Sequence, residues 1–336
     1  MRVQAFYSKF GEYKSAPFWI WGESYAGIYV PMLAEQILNA SARIAAGRAN
    51  EGEVAVPLHG IGVGNGCLGD EVGKCSNQGT KIEVDFLYGH GAISQPTYRQ
   101  LYAECPDFTN PNTKCNEWLD KMSAEAGSFN GYNLYDDCGP NDQVINVAQQ
   151  QGEEQQEEGG EERGRRRTWR EHQQLKLQPH GIHQLGYPCG KQHGATSWLN
   201  QPSVRKALHV PAESFYGYRY YLDQIMPPFN YTSNVASLTD TYRRLIPNYK
   251  VLIYNGDLDP CVPYNGNEEW TRGLGLNQTE EWHPWHSDPG TGMQIAGYTT
   301  VYEHNFTFTT VKGAGHMVKW RCSYSPLLST AHHPAW

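Results

Sequence analysis

Residues 17–27 carry the pattern that decides the fold: Pro17-Phe-Trp-Ile-Trp-Gly-Glu-Ser-Tyr-Ala-Gly27. The apolar and aromatic first half is typical of a buried strand. Gly22-x-Ser24-x-Ala26-Gly27 then turns the chain, and a helical pattern runs from Ile28 to Ala46. A serine on a sharp turn between a strand and a helix is the arrangement of a nucleophile elbow, although a plain turn or N-cap serine gives the same local pattern.

A serine hydroxyl is a poor nucleophile until an oriented base removes its proton. Two later loops supply an acid and a base, each just after a predicted strand: Asp259 in Gly256-x-x-Asp259 and His316 in Gly313-Ala-Gly-His316. Singly, Asp259 is equally a turn carboxylate and His316 a surface histidine. Together and in this order they predict a catalytic triad with Ser24, with the Tyr25 backbone N–H facing the oxyanion at a helix N-terminus.

The alternation of strands and helices predicts an α/β fold with a mostly parallel sheet and helices on both faces. The segment between the second and third predicted strands is too long for a crossover, so we interpret it as an insertion. We predict a discontinuous core of residues 1–66 and 237–336, with a helical, disulfide-containing cap at 67–236. Within the cap, residues 147–180 are so rich in Gln, Glu, Gly and Arg that they are predicted to be a disordered linker.

Charge and composition exclude several classes of protein. The chain has 336 residues, 27 Lys and Arg against 35 Asp and Glu, and a formal net charge of −8. This balance argues against a nucleic-acid partner. No apolar run approaches the roughly 18 residues that a membrane span needs.

The cysteines and glycosylation motifs favour an oxidising compartment. None of the eight cysteines forms a C-x-x-C pair, and five of them lie between residues 67 and 138, where we predict disulfides. With four N-x-S/T motifs, this pattern predicts the secretory pathway, whether vacuole, lysosome or extracellular space. The candidate glycosylation sites are Asn39, Asn230, Asn277 and Asn305.

These motifs resemble those of the serine carboxypeptidases, peptidase family S10 of the α/β-hydrolase superfamily. The stretches that carry the resemblance are Phe18-Trp-Ile-Trp-Gly-Glu-Ser-Tyr-Ala-Gly-Ile-Tyr-Val-Pro31, Gly62-Val-Gly-Asn-Gly66, Trp198-Leu-Asn-Gln-Pro-Ser-Val-Arg-Lys-Ala-Leu-His209, Tyr254-Asn-Gly-Asp-Leu-Asp259 and Gly313-Ala-Gly-His-Met-Val318. They span most of the chain, and Gly-Glu-Ser-Tyr-Ala-Gly is highly specific to this family.

The resemblance assigns roles to residues around the triad. It implies that Glu23 binds the C-terminal carboxylate of the substrate. Two carboxylates meet only if they share a proton, so Glu23 is expected to have a raised pKa and the site to favour acidic pH. Asp257 is implied to be supporting rather than catalytic. Two further residues are implied to lie at the substrate pocket, Cys261 and Met317. Cys261 is either a free thiol or half of a disulfide. For Met317, packing in the core is the alternative.

The chain also departs from the family pattern at its two ends. Members carry further strands and an Asn-Gly-Gly-Pro-Gly loop upstream, and neither occurs before Ser24. We therefore expect a chain that lacks the N-terminal strands, one donor of the oxyanion hole and the signal peptide. After Val318 the sequence matches neither the family nor an amphipathic helix.

The resemblance implies a serine carboxypeptidase that acts on peptide C-termini through an acyl-enzyme at acidic pH and needs no cofactor. Two alternatives stay open. One is a carboxypeptidase-like acyltransferase, and the other is a catalytically inactive, truncated fragment.

Two further motifs partly match the patterns of ligand sites. Gly64-Asn-Gly66-Cys-Leu-Gly69 fits a dinucleotide fingerprint, but residues 70–80 do not continue as the helix that such a site requires. His283-Pro-Trp-His286, near Asp288, has a proline within the pair and no helical spacing. We interpret it as a surface loop and predict no metal site.

Overall fold

The computed structural model describes residues 2–136, 198–210 and 234–318, except 289 and 291. The predicted linker at 147–180, the motif at Asn230 and the chain after Val318 lie outside the described residues.

Six strands form one sheet in the spatial order β1-β2-β3-β6-β5-β4. The strands are β1 (Phe18–Glu23), β2 (Leu58–Gly64), β3 (Lys250–Gly256), β4 (Gln278–Ser287), β5 (Gln294–Tyr302) and β6 (Phe306–Val311). β1, β2, β3 and β6 run parallel to one another, whereas β5 pairs with both β6 and β4 in antiparallel fashion. The mostly parallel α/β sheet predicted from the sequence is confirmed.

The helices of the described residues are α1 (Arg2–Lys9), α2 (Ala26–Ala45), α3 (Gly79–Gly89), α4 (Gln95–Glu104), α5 (Thr113–Ala126), α6 (Pro202–Ala207), α7 (Thr239–Leu245) and α8 (Tyr264–Arg272). Two of the helices pack directly on this sheet, α2 and α8. α2 buries Ile28, Ala34 and Ile37 at helical spacing and packs on β1, β2 and α7. α8 packs on β3, β6 and α3.

The buried apolar side chains form two large clusters. The larger one lies between the sheet and its helices and includes Ile253, Phe306 and Phe308. The buried members of the other all lie between residues 84 and 134, and Tyr264 of α8 packs against them. β6 is buried at every position, as expected of a strand inside a parallel sheet.

Two disulfides lie in the segment where the cysteine density predicted them. Cys67 pairs with Cys75, and Cys105 pairs with Cys115. These pairs could not be predicted from the cysteine spacing, because the connectivity of disulfides depends on the path of the folded chain.

One interpretation was wrong: His283-Pro-Trp-His286 belongs to β4 and is not a surface loop. β4 lies at one edge of the sheet, and of its ten residues Trp285 alone is buried. An edge strand tolerates a proline because one side of it has no ladder partner. Among the described residues, no helix combines the length and the apolar character needed to cross a membrane.

Candidate active site

Ser24 occupies a tight turn between β1 and α2. Its φ is +62°, a left-handed backbone conformation that is uncommon for a serine. Three hydrogen bonds fix the turn: the Ser24 N–H donates to the Gly64 carbonyl at 2.9 Å, and the Ser24 carbonyl accepts from the N–H groups of Gly27 at 2.9 Å and Cys67 at 3.1 Å. A strained residue that is held this firmly is typical of a functional turn.

Glycine is required at position 27 because α2 begins against another segment of backbone. A Cβ built on Gly27 would fall far inside contact distance of the Cys67 carbonyl oxygen and would also meet Gly66. The small residues of the elbow motif therefore allow α2 to start directly beneath the turn.

Four loops that follow parallel strands meet at one edge of the sheet. Ser24 follows β1, Asn65 follows β2, Asp259 follows β3 and His316 follows β6. Because these strands are parallel, their carboxyl ends lie on the same side.

Asp259 is completely buried and accepts four hydrogen bonds. Its Oδ2 accepts from Asn65 Nδ2 at 2.6 Å, His316 Nδ1 at 2.7 Å and the Val262 N–H at 3.1 Å, and its Oδ1 accepts from the Cys261 N–H at 2.8 Å. Donors on both oxygens fix the plane of the carboxylate.

His316 is 3% exposed and donates its Nδ1 proton to Asp259 at 2.7 Å. This bond selects the tautomer whose Nε2 is free to accept a proton. Burial lowers the pKa of the imidazole, but the charge and hydrogen bond of Asp259 and the charge of Glu23 outweigh it. The pKa of His316 therefore lies above its ordinary value.

Within the described residues, Ser24 and His316 lie at the same sheet edge but no hydrogen bond joins Ser24 Oγ to the imidazole. In enzymes without bound substrate, the hydrogen bond between a nucleophile and its base is often long or poorly aligned. The missing bond is therefore compatible with Ser24 as the nucleophile and His316 as its base.

Glu23 and Tyr25 lie on either side of Ser24. Glu23 is the last residue of β1, and its charge acts on His316. Tyr25 is the N-cap residue of α2, where backbone N–H groups point out along the helix axis. The positions fit the roles predicted for both residues, which stay predictions.

Asp257 connects the acid and base loops. Its Oδ1 accepts from the Gly313 N–H at 2.7 Å, three residues before His316. Burial raises the pKa of this carboxyl. Among the described residues, the hydrogen bonds of the Asp259 and His316 side chains do not include Asp257, and its supporting role stays a prediction.

The structure shows whether Cys261 is a free thiol or part of a disulfide, and whether Met317 is a core residue. Cys261 is a free thiol, and burial together with the nearby Asp259 charge raises its pKa to about 12. Met317 is 39% exposed, so it is not a core residue.

Three potential metal-ligand atoms lie within 4.8 Å of one another, one each from Asp259, Cys261 and His316. They do not fit a metal site. The Asp259 oxygens already accept four hydrogen bonds, His316 Nδ1 donates to one of them, and a thiol with a pKa of about 12 keeps its proton.

Asn65 is a site residue that the motif analysis missed. It is completely buried, with φ at +41°, and its Nδ2 also donates to the Val262 carbonyl at 3.2 Å while its Oδ1 accepts from the Gly256 N–H at 3.0 Å. The available signal was an Asn between two glycines at a strand end, because Asn tolerates a left-handed backbone.

Comparison with known proteins agrees with this geometry. The sequence model of one family, described as serine carboxypeptidase, matches residues 1–325. Serine carboxypeptidase-like 20 of Arabidopsis thaliana is 32% identical over 328 residues, which cover 93% of this chain and 62% of that protein. The lysosomal protective protein of Mus musculus is 30% identical over 334 residues, which cover 94% of this chain and 64% of that protein. The chain thus spans less than two thirds of the length of these relatives.

Among solved structures, the fold is similar to that of Kex1(delta)p, a prohormone-processing carboxypeptidase from Saccharomyces cerevisiae. The TM-score is 0.55 at 17% identity, and the match covers 96% of this chain and 62% of that one. This likeness shows a shared fold.

Proposed function

The chain belongs to the serine carboxypeptidase family, and from that premise we propose that it releases C-terminal amino acids from peptides through an acyl-enzyme at acidic pH. The observation that carries the proposal is the buried 2.7 Å hydrogen bond between Asp259 and His316, at the same sheet edge as the strained Ser24. Such an oriented base is what a serine nucleophile requires.

In the proposed acylation step, Ser24 Oγ attacks the last peptide carbonyl while His316 Nε2 takes its proton. The Tyr25 N–H stabilises the oxyanion, which forms at the positive end of α2. The C–N bond then breaks, and the departing amino acid takes the proton from His316. Asp259 holds the imidazole in orientation and stabilises its positive charge.

In the deacylation step, water attacks the acyl-enzyme while His316 again acts as base. The ester bond to Ser24 breaks, Ser24 regains its proton, and the shortened peptide leaves with a new carboxylate. An alcohol in place of water gives an ester product, so the acyltransferase alternative uses the same intermediate.

Glu23 gives the proposed preference for C-termini. It adjoins Ser24, and its charge acts on His316, so a protonated Glu23 is suitably placed to share a proton with the terminal carboxylate of a bound peptide. A peptide with an amidated C-terminus lacks that carboxylate. We propose that it is a poor substrate.

We also propose a secretory compartment and glycosylation. Asn39, Asn277 and Asn305 are exposed, and the two disulfides are typical of an oxidising environment. A relative named lysosomal protective protein agrees with this proposal.

Mass spectrometry of a defined peptide near pH 5 tests the activity, with Ser24→Ala and the exposed Ser8→Ala as its matched control. The proposal expects a ladder of C-terminal losses from the unchanged chain and from Ser8→Ala, and an intact peptide with Ser24→Ala. Internal cleavage, or a ladder that survives in Ser24→Ala, would refute it. An intact peptide after incubation with the unchanged chain would support the inactive alternative. Formation of an ester from an added alcohol would support the acyltransferase alternative.

A further inference from the structure

The insertion returns to the sheet edge and bonds directly to both the acid and the base loops. After α5, the Leu134 N–H donates to the Leu258 carbonyl at 2.9 Å, next to Asp259. The Tyr132 carbonyl accepts from the His316 N–H at 2.7 Å. One short segment of the insertion therefore bridges the two loops that carry Asp259 and His316.

The Tyr132 side chain covers the imidazole itself. The two ring centroids are 5.1 Å apart and the planes are inclined by 33°. Gly315 allows this approach, because a Cβ there would collide with the Tyr132 carbonyl oxygen and with Asn133. The contact limits the orientations open to the imidazole.

The segment around Tyr132 is fixed by its own hydrogen bonds. Asn130 Oδ1 accepts from the Tyr132 N–H at 2.9 Å, and Asn130 Nδ2 donates to Asp136 at 2.8 Å. The Tyr135 hydroxyl donates to the carbonyl of His90, at the end of α3. Tyr132 is thus presented by a firmly attached turn rather than by a loose loop.

We propose that Tyr132 is a positioning residue for His316: its ring holds the imidazole in the orientation in which Nδ1 bonds Asp259 and Nε2 faces Ser24. The insertion thereby completes the site as well as covering it. This inference rests on the proposed function, and it assigns to the insertion a part in the base's geometry.

The kinetic test compares Tyr132→Phe and Tyr132→Ala on peptide and ester substrates. Tyr132→Phe keeps the ring and should keep kcat. Tyr132→Ala should lower kcat by about tenfold or more with little change in KM, because a misplacement of about 1 Å can cost on the order of 100-fold. Tyr13→Ala is the matched control, since it removes an exposed tyrosine ring that lies beside Phe6, outside the turn that carries Tyr132.

A second measurement needs no activity. The other charged or titratable side chains near His316 are Asp259, Glu23 and Cys261. Burial is the largest influence on the imidazole pKa and lowers it, so removing the Tyr132 ring should raise the titration midpoint of His316, followed by NMR of isotope-labelled histidine in the full chain. Tyr132→Phe and Tyr13→Ala should leave the midpoint in place.

Specific results would overturn the inference. It fails if Tyr132→Ala changes neither kcat nor the His316 midpoint, if Tyr132→Phe is as damaging as Tyr132→Ala, or if Tyr13→Ala has the same effect. If the unchanged chain is inactive, the proposed function fails by itself, and the NMR midpoint alone then decides the role of Tyr132.

Discussion

Asp259 is a completely buried carboxylate, and two of its four donors, Asn65 and His316, come from distant parts of the chain. Asn65, just after β2, donates to Asp259 and accepts from the Gly256 N–H. One amide side chain therefore bonds both to the acid and to the end of β3, and holds the loop that carries Asp259 against that strand. Removing it leaves buried hydrogen-bonding groups without a partner, which is costly inside a protein.

We predict that Asn65→Ala lowers the free energy of unfolding by about 1–3 kcal/mol. It should also reduce kcat, because Asp259 loses the donor that fixes its plane. Denaturant unfolding measures the first effect. Asn248→Ala, which removes an exposed asparagine, is the control and should change stability by less than about 0.5 kcal/mol. Equal stability of the two variants would contradict this view of Asn65.

Glu23 takes part in two protonation equilibria, its own and that of His316. Its charge raises the pKa of His316, whereas carboxylate recognition requires Glu23 itself to be protonated. Protonation of Glu23 removes one of the influences that hold the His316 pKa up. The neutral base therefore persists to lower pH when Glu23 has its proton, which supports the proposed acidic activity.

We predict that Glu23→Gln lowers the pKa of His316 and moves the acid limb of kcat/KM to lower pH. The sign follows because neutral imidazole is the base and the variant removes a charge that favours its protonated form. A pH profile on an ester without a free carboxylate isolates this effect. The exposed Glu12→Gln should leave the limb unchanged, and an upward shift in Glu23→Gln would contradict the argument.

At the scale of elements, buried strands and strand-to-helix turns were predictable from the sequence. The apolar and aromatic run that begins at Pro17 predicted β1 (Phe18–Glu23), and the helical pattern from Ile28 to Ala46 predicted α2 (Ala26–Ala45) to within two residues. β4 was missed because an exposed edge strand has no apolar alternation, and Pro284 argued against a strand. Asn65 and Tyr132 were missed because their partners are distant in sequence.

We predict that Gly27→Ala destabilises the chain by about 1–3 kcal/mol, since the added methyl meets backbone at Cys67 that cannot move aside cheaply. It should also displace Ser24 and lower kcat. Gly89→Ala in α3 is the matched control, because a Cβ there meets nothing within 4 Å and alanine favours a helix. Thermal unfolding of both variants measures the difference. A Gly27→Ala chain as stable as Gly89→Ala would show that the close packing beneath the elbow is dispensable.

At the scale of the whole molecule, we propose the division into a core of residues 1–66 and 237–336 and a cap at 67–236. The segment that leaves the core lies next to the segment that re-enters it. The Asp70 N–H donates to the Val235 carbonyl at 2.9 Å, and the Leu238 N–H donates to the Leu68 carbonyl at 3.0 Å. The separate apolar cluster between residues 84 and 134 supports the same division.

We predict that Leu101→Ala, a truncation at the centre of the cap's cluster, costs about 2–5 kcal/mol. Hydrogen exchange should then accelerate in α3, α4 and α5 more than in the strands. Ile253→Ala in β3 is the matched truncation in the core. Equal acceleration throughout the chain in both variants would contradict the division into two clusters.

In the proposed mechanism the buried Asp259–His316 pair activates Ser24. Mass spectrometry after reaction with diisopropyl fluorophosphate is a direct test of this activation, because only an activated serine displaces fluoride from the reagent at a useful rate. We predict one phosphoryl adduct per chain, located on Ser24 and lost in Ser24→Ala. We also predict that His316→Gln slows the labelling by about 1,000-fold or more. An adduct on another residue, or labelling of Ser24 at an unchanged rate without His316, would show that the pair does not activate Ser24.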